Sequence, residues 1–275
     1  MMGAILALAL VGGWLVAGPA RLPLHRLRHG VRPGVTLAGA PMGGMYRSQV
    51  EAALQAWWRQ TYQPAIDAGI DRATGQIIPE RDGLQLNVGQ TLALVMRARV
   101  GARLAPVYER VPAAWTAADL RRMTHVAGQY TTWAYGSPER VFNIGHALRA
   151  LNNSLVYPGQ TFSFMAQMPP FTAAGGWKNA KVILDGEAGQ GIGGGVCQVS
   201  STLYNAVRRA QLQIVERHAH AIPVPYVPRG CDATVAAYPL LDFQFRNTLS
   251  APVRIAAALE RGAVRIRIYT LPPAG

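Results

Sequence analysis

Apolar residues recur at helical spacing in three long stretches of the chain and alternate with polar residues in several shorter ones. From Gln49 to Tyr62, Val50, Leu54, Trp57 and Trp58 share a face, and Ser48 stands where a cap belongs. Both tryptophans read as core. A second helix is predicted in PERVFNIGHALRALNN, with Val141, Ile144, Leu148 and Leu151 inward and a Pro158-Gly159 turn beyond it. Val199, Leu203, Ala206, Val207 and Ala210 mark a third. Val35 and Leu37 alternate with Thr36 and Ala38 like a short strand. IIPERDGLQLNVGQTLALVMRARV reads as strand, Asp82-Gly83 turn, short strand and helix, and Thr116 caps a short helix after it. Beyond the third helix, AHAIPVPYV, ATVAAY, LDFQFRN, PVRIAAALE and AVRIRIYT all read as strands.

A long helix followed by several strands predicts an α+β protein: a cysteine-bearing helix packed on a mostly antiparallel sheet, preceded by a smaller α+β N-terminal domain. The pattern places that first domain at 34–128 and the second at 129–275. Residues 1–20 carry no charged side chain and, at about 1.5 Å per residue, are long enough to cross a bilayer. They read as a signal peptide or membrane anchor, with small residues in LVAGPA near a possible cut. Arg21, Arg26, Arg28 and Arg32 follow the run and none precedes it, the reverse of the usual bias. Residues 21–33 then form a basic linker. The protein is expected to be exported.

The charge narrows the partners. Lys and Arg number 27 against 14 Asp and Glu, a net +13, and only Lys178 and Lys181 are lysines. That balance favours polyanionic surroundings, whether nucleic acid, acidic lipid or an anionic cell wall. The basic residues are dispersed and not interleaved with aromatics, which argues against nucleic acid.

Cys197 is the candidate for chemistry. It follows Gly193, Gly194 and Gly195 and precedes the third helix, so it falls at a helix N-terminus. Unpaired N–H groups and the helix dipole there favour a thiolate and can hold an oxyanion, and the glycines let a substrate backbone approach. His218 and His220 begin an apparent strand and at i, i+2 share one of its faces. Asp232 is the nearest following acid to orient a histidine, with Asp242 in reserve. The order Cys, His, Asp is that of transglutaminase-like and papain-like thiol enzymes, an analogy of arrangement. Three other readings stay open: zinc held by Cys197, His218, His220 and Cys231, a Cys197–Cys231 disulfide, and a nucleotide loop in GQGIGG. The last lacks a preceding buried strand and an acid about 20 residues on.

On these residues the chain resembles the VanW family. The resemblance is carried by ERVFNIGHALRALNNSLVYPGQTFSF, by GGGVCQVSSTLYNAVRRAQLQIVERHAHAIPVPYVPRGCDATV and by LDFQFRNTLSAPVRI, about half the chain from Arg140 to Ile255. GVTLAG and IIPERDGLQLNVGQTLALVMRA are similar to the peptidoglycan-binding domain that commonly precedes it. The resemblance implies L,D-transpeptidation of peptidoglycan stem peptides through a cysteine acyl-enzyme in the bacterial cell envelope, with no cofactor or metal. It makes Cys197 the nucleophile, His220 the base with His218 as second candidate, and Asp232 the residue that orients it. Gly194, Gly195, Gln198 and Arg217 fall to substrate or oxyanion binding, and Arg140 and Asn143 also match family positions. Cys231 stands where the family more usually has arginine, which keeps the disulfide and zinc readings alive. Of another class is a non-catalytic scaffold that holds anionic wall polymer or a membrane surface by charge and buries Cys197 as a structural thiol.

Overall fold

The computed structural model describes residues 24–184 and 187–273. The apolar run read as a signal peptide or anchor lies outside them. Among the described residues no helix is long and apolar enough to cross a membrane. The chain is α+β with mostly antiparallel strands, and it divides into two compact units. One takes the residues up to 67 together with 81–114, the other 68–80 together with 115 onward.

In the first unit Thr36–Leu37 pairs antiparallel with Ala40–Pro41 and parallel with Arg103–Leu104. Two helices, Arg47–Thr61 and Val88–Arg97, close over a core of Val35, Leu37, Val50, Leu54, Leu86, Leu92 and Val95. Trp57 and Trp58 pack half-buried against that core. The first of these helices starts one residue before the expected cap. Tyr46 is its N-cap and gives its N–H to the Gln49 side chain at 3.0 Å, so Ser48 lies inside the first turn. Part of the stretch read as a linker is a short helix, Leu24–His29, followed by the fully buried Val31.

Asp82-Gly83 is not the hairpin turn the sequence suggested. Ile77–Ile78 before it pairs with Gly69–Ile70 in the second unit, whereas Gly83–Leu86 after it pairs with Tyr108–Val111 in the first. Two short apolar runs flanking Asp-Gly satisfy the hairpin pattern, but each finds its hydrogen bonds elsewhere.

The second unit is built on a four-stranded antiparallel sheet in the order His125–Trp133, Ala263–Thr270, Val253–Glu260, Ser154–Val156. Alternation along the central strands sends Val264, Ile266 and Ile268 inward and leaves Arg265 and Arg267 on the opposite face. Two helices cover the inner face. Pro138–Leu151 is capped by Ser137, has Pro at its first position, and buries Ile144, Leu148 and Leu151. Val196–Arg209 buries Val199, Leu203, Ala206 and Val207, as the periodicity required. A Cβ at Gly128 of the edge strand would stand 2.3 Å from the Ala206 carbonyl oxygen, so only glycine lets helix and strand approach this closely.

A second sheet, Thr161–Ser163, Gln244–Arg246 and Gln213–Glu216, lies in the same unit. A hairpin of Asn179–Leu184 and Glu187–Ile192 runs straight into Gly193 and the cysteine helix. Two predicted strands are absent. AHAIPVPYV is an irregular loop, because Pro223, Pro225 and Pro228 remove ladder donors. ATVAAY contributes only isolated bridges, Thr234 to His218 and Ala236 to Leu241.

Candidate active site

The glycine loop positions the cysteine by close packing. Gly195 is the N-cap of the cysteine helix at φ +108°, and a Cβ there would stand 2.9 Å from Ile144 Cγ1. A Cβ on Gly194 would stand 2.5 Å from the Lys181 carbonyl oxygen. Asn143, fully buried, ties the loop to its surroundings: it donates to the carbonyls of Lys178 (2.9 Å) and Gly194 (3.2 Å) and accepts from the Lys178 N–H. Gly194 and Gly195 are therefore explained by the fit of the loop against the protein itself.

Cys197 is the second helical residue and is half-buried. Its Sγ donates to the Val235 carbonyl at 3.4 Å. Burial pushes the thiol above its ordinary value, and the Asp232 carboxylate adds to this. The Arg140 guanidinium and the cysteine's own backbone N–H oppose it. The expectation of a thiol lowered by the helix start is thus corrected: the N-terminal donor acts in the expected direction, and desolvation outweighs it.

The partner loop is stitched to the helix by hydroxyls. Ser200 donates to the Ala233 carbonyl at 2.6 Å, and Ser201 accepts the Ala233 N–H at 2.9 Å while donating to the Cys197 carbonyl at 2.7 Å. Asn205 donates to the Cys231 carbonyl at 2.6 Å. This holds the stretch Cys231–Val235 along the first two turns of the helix, and Asp232 with it.

Asp232 and His220 form a close pair. His220 Nδ1 is 2.8 Å from Asp232 Oδ2, and the His220 backbone N–H donates to the same oxygen at 2.6 Å. Both side chains are about nine-tenths buried, with 9% and 10% exposure. Burial works to raise the Asp232 carboxyl, but the His220 backbone and ring hydrogen bonds prevail and hold it below the ordinary range. A carboxylate at Nδ1 fixes the tautomer that leaves the lone pair on Nε2. Arg217 braces the aspartate, giving Nε to the Asp232 carbonyl (2.7 Å) and a terminal N–H to Oδ1 (3.0 Å), with its guanidinium over the Tyr204 ring.

Several expectations are corrected here. His218 and His220 both lie beyond the strand, which ends at Glu216, and they meet different carboxylates. The Nε2 of His218 meets Glu216 Oε1 at 2.9 Å, a bond that holds the Glu216 carboxyl below its usual range. Arg217 serves Asp232 and the Gly230 carbonyl instead of standing ready for substrate. Gln198 is fully buried, donates its amide to Thr132 Oγ1 and the Trp133 carbonyl, and accepts from Arg140, so it is no oxyanion donor. Asp242, the reserve acid, accepts from Ser163 and from the Met165 and Phe243 N–H groups, a structural role.

Cys197 and Cys231 are both free thiols. Cys231 Sγ meets Arg208 (3.8 Å) and Cys197 meets Val235, so neither is aimed at the other. Among the described residues no three His, Cys, Asp or Glu side chains converge as a metal site.

Two groups beside the thiol were not assigned a role from sequence. Arg140 touches the field of Cys197 and Tyr226. Tyr226, on the proline-rich loop, has its phenol ionisation opposed first by burial and then by the Cys197 charge, so it is a neutral donor at any ordinary pH. Reading its segment as a strand concealed Tyr226; Arg140 was visible only as a family match.

The fold and site define an α+β protein in which a cysteine at a helix start lies against a loop bearing a buried histidine–aspartate pair. Residues 139–269, just under half of the chain, match the family described as VanW like protein, so this part of the chain is a VanW-like domain. It is 43% identical over 157 residues to the uncharacterized protein YoaR of Bacillus subtilis, covering 55% of this chain and 52% of that one. To the vancomycin B-type resistance protein VanW of Enterococcus faecalis it is 29% identical over 126 residues, 44% of this chain and 46% of that one. The chain thus spans about half the length of the curated relatives it matches. No solved structure matches it.

Proposed function

We propose that the protein is a cysteine-dependent acyl transferase of the bacterial cell envelope that acts on peptidoglycan stem peptides, an L,D-transpeptidase. The observation that carries this reading is the buried His220–Asp232 pair, stitched through Ala233 to the helix that bears Cys197. The resistance named for the Enterococcus relative fits a role in cell-wall chemistry.

In the reaction, His220 Nε2 takes the Cys197 proton as the sulfur attacks the carbonyl between the third stem residue and the terminal D-Ala. The tetrahedral intermediate collapses to a thioester, and the D-Ala amine leaves with the proton from His220. The side-chain amine of a second stem then attacks the thioester, returns a proton through His220, and regenerates the thiol with a 3-3 cross-link. Water in place of that amine gives carboxypeptidase activity. Because burial opposes a standing thiolate, the proton leaves the sulfur as it attacks. The backbone N–H of Cys197 is the oxyanion donor that the helix start offers.

The test is mass spectrometry of reduced protein incubated with disaccharide-tetrapeptides, beside Cys197→Ala. Cross-linked dimers or loss of D-Ala, absent in the variant, are expected. A second reading, a wall-binding scaffold, draws on the thiol's bond to the Val235 carbonyl, which is how a structural cysteine is held. Untouched stem peptides together with a Cys197 that resists iodoacetamide would favour it.

A further inference from the structure

Arg140 is an unusual cation. It projects from the first turn of the Pro138–Leu151 helix, and its aliphatic stem packs against Gly195, the cap of the cysteine helix, where an added Cβ would meet Arg140 Cγ at 3.2 Å. Its guanidinium lies over the Tyr135 ring, 5.0 Å from the centroid. One terminal nitrogen donates to the Tyr135 carbonyl (2.7 Å) and the other to Gln198 Oε1 (2.8 Å).

Both acceptors are neutral. Among the described residues no carboxylate pairs with Arg140, although burial lowers its pKa and so disfavours the charge. A guanidinium offers five N–H donors, and these contacts use two. Asp232, the carboxylate whose charge acts on the thiol, is committed to Arg217 and His220. A partly buried cation with no acid partner among the described residues is unfavourable unless an anion arrives to meet it.

The device that aims Arg140 is itself rigid. Gln198 is fully buried, and its amide is locked by Thr132 and Trp133, so the oxygen facing Arg140 has one orientation. A locked supporting group behind a cation whose acceptors are neutral is the construction of a preorganised anion site. The field of this cation reaches the Cys197 sulfur.

We propose that Arg140 forms an anion subsite beside Cys197, which docks a carboxylate of the acyl donor. Resting on the acyl-transfer reading above, the carboxylate of a stem peptide is the C-terminal one of the departing D-Ala. Arg140 then selects donors that end one residue beyond the scissile carbonyl, and a donor whose terminus is amidated loses its anchor.

The test reads Cys197 alkylation, so it stands apart from peptidoglycan activity. Rates with iodoacetate and iodoacetamide are compared at one pH in the reduced protein, in Arg140→Gln and in Arg140→Lys, with Cys197→Ala defining labelling elsewhere. A charge-assisted contact of ordinary strength predicts that the iodoacetate-to-iodoacetamide ratio falls about tenfold in Arg140→Gln and less in Arg140→Lys. A second measurement needs no variant: N-acetyl-D-alanine should slow alkylation by iodoacetamide, and N-acetyl-D-alaninamide should not. Equal ratios in folded wild-type and Arg140→Gln protein, equal protection by acid and amide, or a Cys197 that accepts neither reagent would overturn the subsite. If acid-specific protection holds while stem peptides stay intact, the subsite stands and the donor is another carboxylate-bearing acyl compound.

Discussion

At the scale of single residues, the site depends on which interaction wins at each titrating group. Cys197 has donors that favour its thiolate and a burial that opposes it more strongly. Its alkylation by iodoacetamide should therefore titrate above the ordinary thiol value of about 8.5. A midpoint below that value would mean that the donors favouring the thiolate prevail over burial. Asp232 shifts the other way. A carboxylate lowered in the folded state stabilises the fold above its unfolded pKa of about 3.9, and that contribution is lost as pH falls through the lower folded value. The stability gap between wild type and Asp232→Asn in urea should accordingly narrow between about pH 6 and about pH 3. A gap that widens on acidification would contradict the assignment. Ser201→Ala leaves the buried Ala233 N–H without its acceptor. The expected cost is about 1–3 kcal/mol in denaturant unfolding, and under the proposed acyl-transfer function turnover should also slow, because Asp232 is held one residue away.

Much of the chemistry at this scale was legible. A cysteine behind three glycines and ahead of an amphipathic run has few conformations open to it, so its place at a helix start followed from local rules. The choice between histidines did not. Alternation put His218 and His220 on one face of a strand, but the strand ends at Glu216 and they meet different carboxylates. Gln198 and Arg217 looked like substrate groups because sequence shows a polar side chain but not whether the protein already uses its hydrogen bonds.

Among the elements, helices were read well and strands unevenly. A periodicity of five apolar residues over three turns leaves one way to bury the cysteine helix. The last two strands alternate cleanly because one face meets the core. AHAIPVPYV alternates too, but its prolines cannot donate to a ladder, and pattern without donors makes a loop. Close approach between elements was invisible, since it rests on what is missing at a glycine. Gly128→Ala should destabilise by about 1–3 kcal/mol or more, because the new Cβ meets backbone on both Ala206 and Ala210 and neither can yield. Gly195→Ala adds a strained positive φ to a contact with Ile144 and should cost about 1–3 kcal/mol. The two differ in readout. Thermal unfolding should register both, whereas labelling of Cys197 in the folded protein should change only for Gly195→Ala, which bears on the helix start.

For the whole molecule, charge is the property with a consequence. A net +13 carried almost wholly by arginine predicts attraction to anionic wall polymer that weakens as salt screens it. Co-sedimentation with purified anionic polymer should fall steeply from low to physiological ionic strength. Binding that is indifferent to salt would require specific contacts instead. The α+β character of the molecule was legible from the order of helices and strands. The reassignment of 68–80 to the second unit was not, because it depends on two-residue pairings such as Gly69–Ile70 with Ile77–Ile78 that leave almost no pattern.

The loop between His218 and Thr234 is fastened at both mouths. The His218–Thr234 bridge closes it, and Arg217 clasps Gly230 and Asp232 across the gap. His220 lies just inside one mouth and Asp232 just inside the other, while Tyr226 rides in the middle. Substitutions at the exposed positions between 221 and 229, with Val224 and Val227 kept buried, would leave the histidine–aspartate pair in register and change what the loop presents to the thiol. The arrangement separates the part of the molecule that must stay constant from a part free to diversify. Under the proposed acyl-transfer function, variation in donor preference beyond the carboxylate anchor at Arg140 should therefore concentrate in the exposed residues of that stretch.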